Sequence, residues 1–152
     1  MTIRYVVGDA TAPRGPGPKI LAHLCNDRGG WGKGFVLAVS RRWPEPEQVY
    51  RHRLGGYELG AVQFVEVTPT LTVANMIAQH GYRATQAGPP IRYAALRECL
   101  LTVGNRAWAH HASVHLPRIG TGLAGGSWTE VEPILTSTLQ GLDVFVYELR
   151  AP

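Results

Sequence analysis

Apolar residues recur along the chain with two periods, and the changes of period mark its elements. Residues 2–7 alternate as a strand, and a proline- and glycine-rich loop follows over 11–18. Ile20, Leu21, Ala22 and Leu24 predict a strand over 19–25 that is buried on both faces. Helical spacing of Phe35, Ala38 and Val39 predicts a helix over 34–42. Trp43-Pro44-Glu45-Pro46 breaks it and opens a second helix over 45–54, ended by Gly55-Gly56. Residues 60–67 and 71–78 read as a hairpin across Thr68-Pro69-Thr70. A polar loop over 79–90 leads to the longest helix, 91–110, with Ala95, Leu96, Cys99, Leu100 and Val103 on one stripe and Gly104 weakening its end. A short strand, 113–116, precedes a helix that starts at a Ser127–Glu130 capping box and runs to about residue 140. Residues 143–149 form the last strand.

Repeated strand–helix–strand units predict an α/β fold: one largely parallel central sheet with helices on both faces, hence three layers, α/β/α. At 152 residues with no internal repeat, the chain is expected to be one domain, 1–152. Ligands in such folds sit at the carboxyl ends of the strands.

Two glycine-rich loops lie at such ends, about ninety residues apart. The first is Asn26-Asp27-Arg28-Gly29-Gly30-Trp31-Gly32-Lys33-Gly34-Phe35, and the second is Pro117-Arg118-Ile119-Gly120-Thr121-Gly122-Leu123-Ala124-Gly125-Gly126. Together they hold eight of the chain's 18 glycines. Glycine allows positive φ and close approach of a ligand to backbone N–H groups, and the helix start beyond each loop adds oriented donors. Facing each other, two such loops would clamp a diphosphate. The first loop is not a Walker A loop, because Gly34 follows Lys33 where Ser or Thr is required, and it lacks the dinucleotide fingerprint.

Composition narrows the classes further. Hydrophobic content of 45% and charged content of 17% are ordinary for a globular protein, and no apolar run approaches the length of a membrane span. The start of the chain runs directly into a strand pattern without the features of a signal peptide, so a cytoplasmic location is expected. The two cysteines, Cys25 and Cys99, are expected to be buried free thiols, with Cys25 a lesser candidate nucleophile. A net charge of +4 favours anionic ligands, but the arginines are scattered and no basic–aromatic interleaving points to nucleic acid. His23 sits mid-strand, where it is either a core histidine or a titrating group.

The residues resemble the macrodomain family, a module that binds ADP-ribose. The resemblance rests on residues 20–35, on Arg41-Arg42-Trp43-Pro44, on Leu116-Pro117-Arg118-Ile119-Gly120-Thr121-Gly122-Leu123 with Trp128, and on Val7-Gly8-Asp9 and Val146-Tyr147-Glu148-Leu149. It spans nearly the whole chain and is nearest the branch of terminal ADP-ribose protein glycohydrolase and the ADP-ribose 1''-phosphate phosphatases. The resemblance implies that Asp9, with Ala10 beside it, accepts a bond from the adenine amino group. Tyr147 stacks on adenine or simply packs in the core. Arg118, Ile119, Gly120, Gly122, Leu123 and Ala124 wrap the diphosphate, with Thr121 as an added hydroxyl donor. Gly32, Lys33, Gly34 and Phe35 line the distal ribose and second phosphate, and Asn26 bonds that ribose or else organises the turn.

The glycohydrolase's lysine and aspartate are replaced here by Gln79 and Ala124, so its lysine chemistry is not expected. Asn26, Asp27, Gln79 and Thr121 are the candidates to position an attacking water, with Asp27 as the loop carboxylate able to act as a base. The leading expectation is a hydrolase that removes mono-ADP-ribose from Asp or Glu esters on proteins, without cofactor or metal. A non-catalytic ADP-ribose reader and an ADP-ribose 1''-phosphate phosphatase are the alternatives. ADP-ribose and modified proteins are the expected partners; ADP-ribosylated DNA stays open as a second substrate, and no membrane is involved.

Overall fold

The computed structural model describes residues 3–52, 56–81, 84–86 and 88–149, and the backbone alone of Leu123. The expected end of the second helix at Leu54 and Gly55, and the arginines Arg53 and Arg83, lie outside these residues.

Six strands form one sheet: β1 (Ile3–Val7), β2 (Lys19–Asn26), β3 (Val62–Thr68), β4 (Leu71–Gln79), β5 (Ser113–Pro117) and β6 (Val144–Glu148). Their order across the sheet is β1-β6-β5-β2-β4-β3. All neighbours are parallel except β3, which pairs antiparallel with β4 as the hairpin pattern predicts. Helices α1 (Phe35–Arg42) and α2 (Glu45–Arg51) cover one face, and α3 (Tyr93–His110) and α4 (Trp128–Thr138) cover the other.

Strand alternation splits the core in two. On β2, Ile20 and Ala22 face α3 and α4, while Leu21 and Cys25 face α1 and α2. The stripe Ala95, Leu96, Cys99, Leu100, Val103 of α3 is buried as its spacing predicts, and Gly104 continues within the helix. In α1 the buried residues are Val36 and Val39, with Ala38 only half-buried. Ser127 caps α4 by accepting a bond from the Thr129 N–H, one position earlier than a capping box requires.

A buried polar network crosses the α1/α2 face. His23 Nε2 lies 2.6 Å from Asn75 Oδ1, and Asn75 Nδ2 donates to the Pro46 carbonyl and to Gln63 Oε1. Because the amide spends its protons there, the imidazole donates through Nε2 and its bare Nδ1 is buried without a partner. On β5, His115 holds Ser113 Oγ at 2.8 Å and the Tyr147 hydroxyl at 2.7 Å.

Burial lowers both histidines from 6.5 to about 4, the Lys19 charge adding to the effect at His115. Both are therefore neutral when folded, whereas the unfolded chain takes up their protons below pH 6.5. Stability should be full above pH 6.5 and fall between pH 6.5 and 4, by about 1.4 kcal/mol per pH unit for each histidine. Urea unfolding midpoints measured from pH 7 to 5 check this, and a flat profile there contradicts it.

Candidate functional site

The registered pairing of β2 with β5 covers only Lys19–Ser113, Ile20–Val114 and Leu21–His115. Beyond Leu21 the two strands part, and a cleft of about 720 Å³ opens between their carboxyl ends. His23, Leu24, Cys25 and Asn26 of β2, with Gln79 of β4, line its base. Gly30, Gly32, Lys33, Gly34, Phe35 and Val36 form one wall, and Pro117, Arg118, Ile119, Gly120, Thr121, Gly122 and Ala124 form the other. Chain connections leave β2 toward β4 and leave β5 toward β6, so the cleft sits where the winding direction reverses. The two glycine loops do face each other.

Each loop is held by its own residues. Asn26 Nδ2 donates to the Gly30 carbonyl at 2.8 Å, and Oδ1 accepts from the N–H groups of Arg28 and Gly30. The buried hydroxyl of Tyr50 on α2 lies 2.6 Å from the Asn26 carbonyl and accepts from the Gly29 N–H. Asn26 lines the cleft, but most of its hydrogen bonds organise the turn, a use that suits its short side-chain amide. Gly34 then starts α1 with φ +83°, and no side chain caps that helix, whose first residues border the cleft.

In the second loop, Gly126 donates to the Gly120 carbonyl at 2.6 Å and Ala124 accepts from the Ile91 N–H. Gly120 has φ +82°, and a Cβ there would meet Ile91 Cδ1 at 2.7 Å and Val131 Cγ2 at 2.8 Å. Only glycine fits that corner. The Thr121 hydroxyl donates to the Arg118 carbonyl, so it closes the loop rather than pointing an unused donor at a ligand. Arg118 lies over the Trp128 ring and pairs with Glu148.

Several expected site residues sit elsewhere. Asp27 does not line the cleft. Its Oδ2 lies 2.6 Å from His80 Nδ1 and its Oδ1 accepts from the Gly81 N–H. Burial works to raise its pKa, but the Gly81 amide and His80 outweigh that and hold it below the ordinary value. Its two oxygens are thus held by His80 and Gly81 beside the cleft rather than within its lining. Tyr147 is buried in the α1/α2 cluster, with its hydroxyl accepting from the Arg14 N–H, so it packs in the core. Ala10 is buried in the same cluster. Asp9 lies in the turn after β1. It accepts from the Thr11 hydroxyl and N–H, and its Oδ2 is 3.8 Å from Arg42. The Thr11 hydroxyl is the first cause of its lowered pKa, and burial only partly opposes it, so Asp9 is an ionised acceptor.

His23 belongs to the core network, and Cys25 at the cleft base has its thiol pKa raised well above the ordinary value by burial, the Cys99 charge adding to it. The lining residues that no loop motif singled out in the sequence are Leu24 and Val36. They line the cleft because two adjacent strands splay, which no local pattern signals. Lys33 and Arg118 bring positive charge to the opposing walls, and among the described lining residues there is no carboxylate. No cluster of three metal-ligating side chains exists among the described residues. None of their helices is long and apolar enough to cross a membrane.

A three-layer α/β/α fold with a cleft between two glycine loops at the reversal point defines the class. Comparison with known proteins identifies the family. A macrodomain protein from Streptomyces coelicolor is 53% identical, with a TM-score of 0.84 over 97% of this chain and 99% of that one. The chain belongs to the macrodomain family. A Bacteroides thetaiotaomicron protein of unknown function is also 53% identical, with a TM-score of 0.93 over 97% of this chain and 98% of that one. The mouse chromodomain-helicase-DNA-binding protein 1-like is 31% identical over 96% of this chain, which spans only 18% of that protein's length. An ADP-ribose 1''-phosphate phosphatase from Lodderomyces elongisporus is 25% identical over 97% of this chain and 98% of its own. No family model matches the chain.

Two substitutions test how the loops are built. Asn26→Ala removes the side-chain bonds to Arg28, Gly30 and the Tyr50 hydroxyl and should cost about 1–3 kcal/mol of stability. Gly120→Ala forces a side chain into left-handed backbone against Ile91 and Val131 and should cost about 1–3 kcal/mol. Chemical unfolding of each variant gives the values, and wild-type midpoints would contradict the assignments.

Proposed function

We propose that the chain is a single macrodomain that binds ADP-ribose in the β2/β5 cleft and hydrolyses mono-ADP-ribose from Asp and Glu side chains of modified proteins. The observation that carries this reading is the pair of glycine loops facing each other across one cleft, with cations on opposing walls. An uncapped helix start supplies N–H groups and a partial positive charge for a phosphate. Gly120, Thr121 and Gly122 supply a second set of backbone donors from the facing wall.

Asp9 is ionised and half-exposed, as an acceptor for the adenine amino group requires. Asn26 and Gln79, paired across β2 and β4, stand at the base where the distal ribose and the attacking water would lie. The phosphatase relative supports the same nucleotide skeleton as ligand. Two buried free thiols are in keeping with a cytoplasmic location. A reader without turnover is the second reading, favoured by the absence of a carboxylate among the described lining residues. Release of ADP-ribose from an ester-modified protein chooses between the two.

Gly32 is the cleanest test of the cleft. A Cβ on Gly32 meets nothing within 4 Å and its φ is ordinary, so Gly32→Glu should fold like wild type. Its carboxylate would enter the diphosphate position, and calorimetric ADP-ribose binding should vanish. Gly122→Glu, at an open position with φ +60°, should do the same from the facing wall. Retained affinity in both variants would remove the clamp. Asp9→Ala should weaken binding by about 1–3 kcal/mol through loss of one charge-assisted bond.

A further inference from the structure

We propose that Asp27 and His80 form the proton-handling pair of this cleft, an inference that rests on the ester-hydrolase reading above. The two residues leave the carboxyl ends of β2 and β4 side by side, each one position beyond a residue that lines the cleft: Asn26 on one strand, Gln79 on the other. Asp27 Oδ2 lies 2.6 Å from His80 Nδ1, and Oδ1 is pinned by the Gly81 N–H at 2.9 Å. Backbone bonds fix both partners: the Asp27 N–H donates to the Gln79 carbonyl and the His80 N–H to the Pro90 carbonyl. A carboxylate on Nδ1 sets the ring's tautomer and orientation and leaves Nε2 as the working atom.

The chemistry of the cleft itself leaves this pair as the acid–base candidate. Lys33 and Arg118 are cations, His23 is locked neutral in the core network, and Cys25 is a buried thiol. The scissile ester joins a ribose inside the cleft to a protein outside it, so it must lie at the mouth. His80 is exposed at 44% of its side chain and Asp27 at only 17%, which puts the imidazole outward and its carboxylate behind it. The other charged groups beside the pair are Arg28, whose Nε is 3.6 Å from a Cβ built on Gly81, and Arg92, which bonds the Pro89 and Pro90 carbonyls.

In the step, His80 Nε2 takes a proton from water as the water oxygen bonds to the ester carbonyl carbon. The acyl C–O bond then breaks, and the departing ribose oxygen takes the proton back from Nε2. One water is consumed, and ADP-ribose and the free carboxylic acid are released. Asp27 is the positioning residue: it holds the ring and stabilises the transient imidazolium.

The test compares wild type, His80→Gln and Asp27→Asn on a protein carrying ADP-ribose on glutamate, with ADP-ribose affinity as the control for folding. We expect His80→Gln to lower kcat by roughly 100-fold or more, with KM and ADP-ribose affinity unchanged. Asp27→Asn keeps an acceptor for Gly81 and should lower kcat with KM unchanged. A His80→Gln enzyme with wild-type kcat would overturn the inference and leave the hydrolase reading standing. A wild-type protein that binds ADP-ribose but releases none from the ester would overturn both.

Discussion

Everything at the site depends on a pairing that stops early. β2 and β5 are adjacent and parallel, yet their registered pairs end at Leu21 and His115. The adjacency brings the loops that follow the two strands to the same edge of the sheet. The early stop parts them, so that backbone and side chains of the strand ends line a cavity instead of completing a ladder. Had β2 and β5 been separated by another strand, two loops ninety residues apart would have had no common cleft.

The loops are held in shape by polar side chains beneath them that are used for structure. Asn26 closes the first turn on itself, Tyr50 holds that turn from α2, and Thr121 closes the second onto Arg118. With these groups engaged, the proposed ligand would meet backbone amides together with Lys33 and Arg118 of the flanking walls. Buried histidines follow the same rule. His23 and His115 serve the core at the expense of their own protonation, burial lowering both from 6.5 to about 4.

Much of this was legible in the chain. The α3 stripe, the β3–β4 hairpin, the two glycine loops and the Ser127 helix start all appear in the structure within a few residues of their expected places, since each is set by local period or turn chemistry. Roles were less legible than places. Tyr147 and Ala10 have the composition of a ligand site but lie in the core, and Asp27 has the chemistry of a base but is spent on His80 and Gly81.

The amino-acid order by itself determined the elements, the layer architecture and the positions of both glycine loops, because periodicity and turn propensity act over a few residues. Only the tertiary structure decided that the loops share one cleft, that Leu24 and Val36 line it, and that Asp27 meets His80. Those outcomes depend on which strands are neighbours and where their pairing ends, and on side chains more than fifty positions apart competing for the same hydrogen bonds.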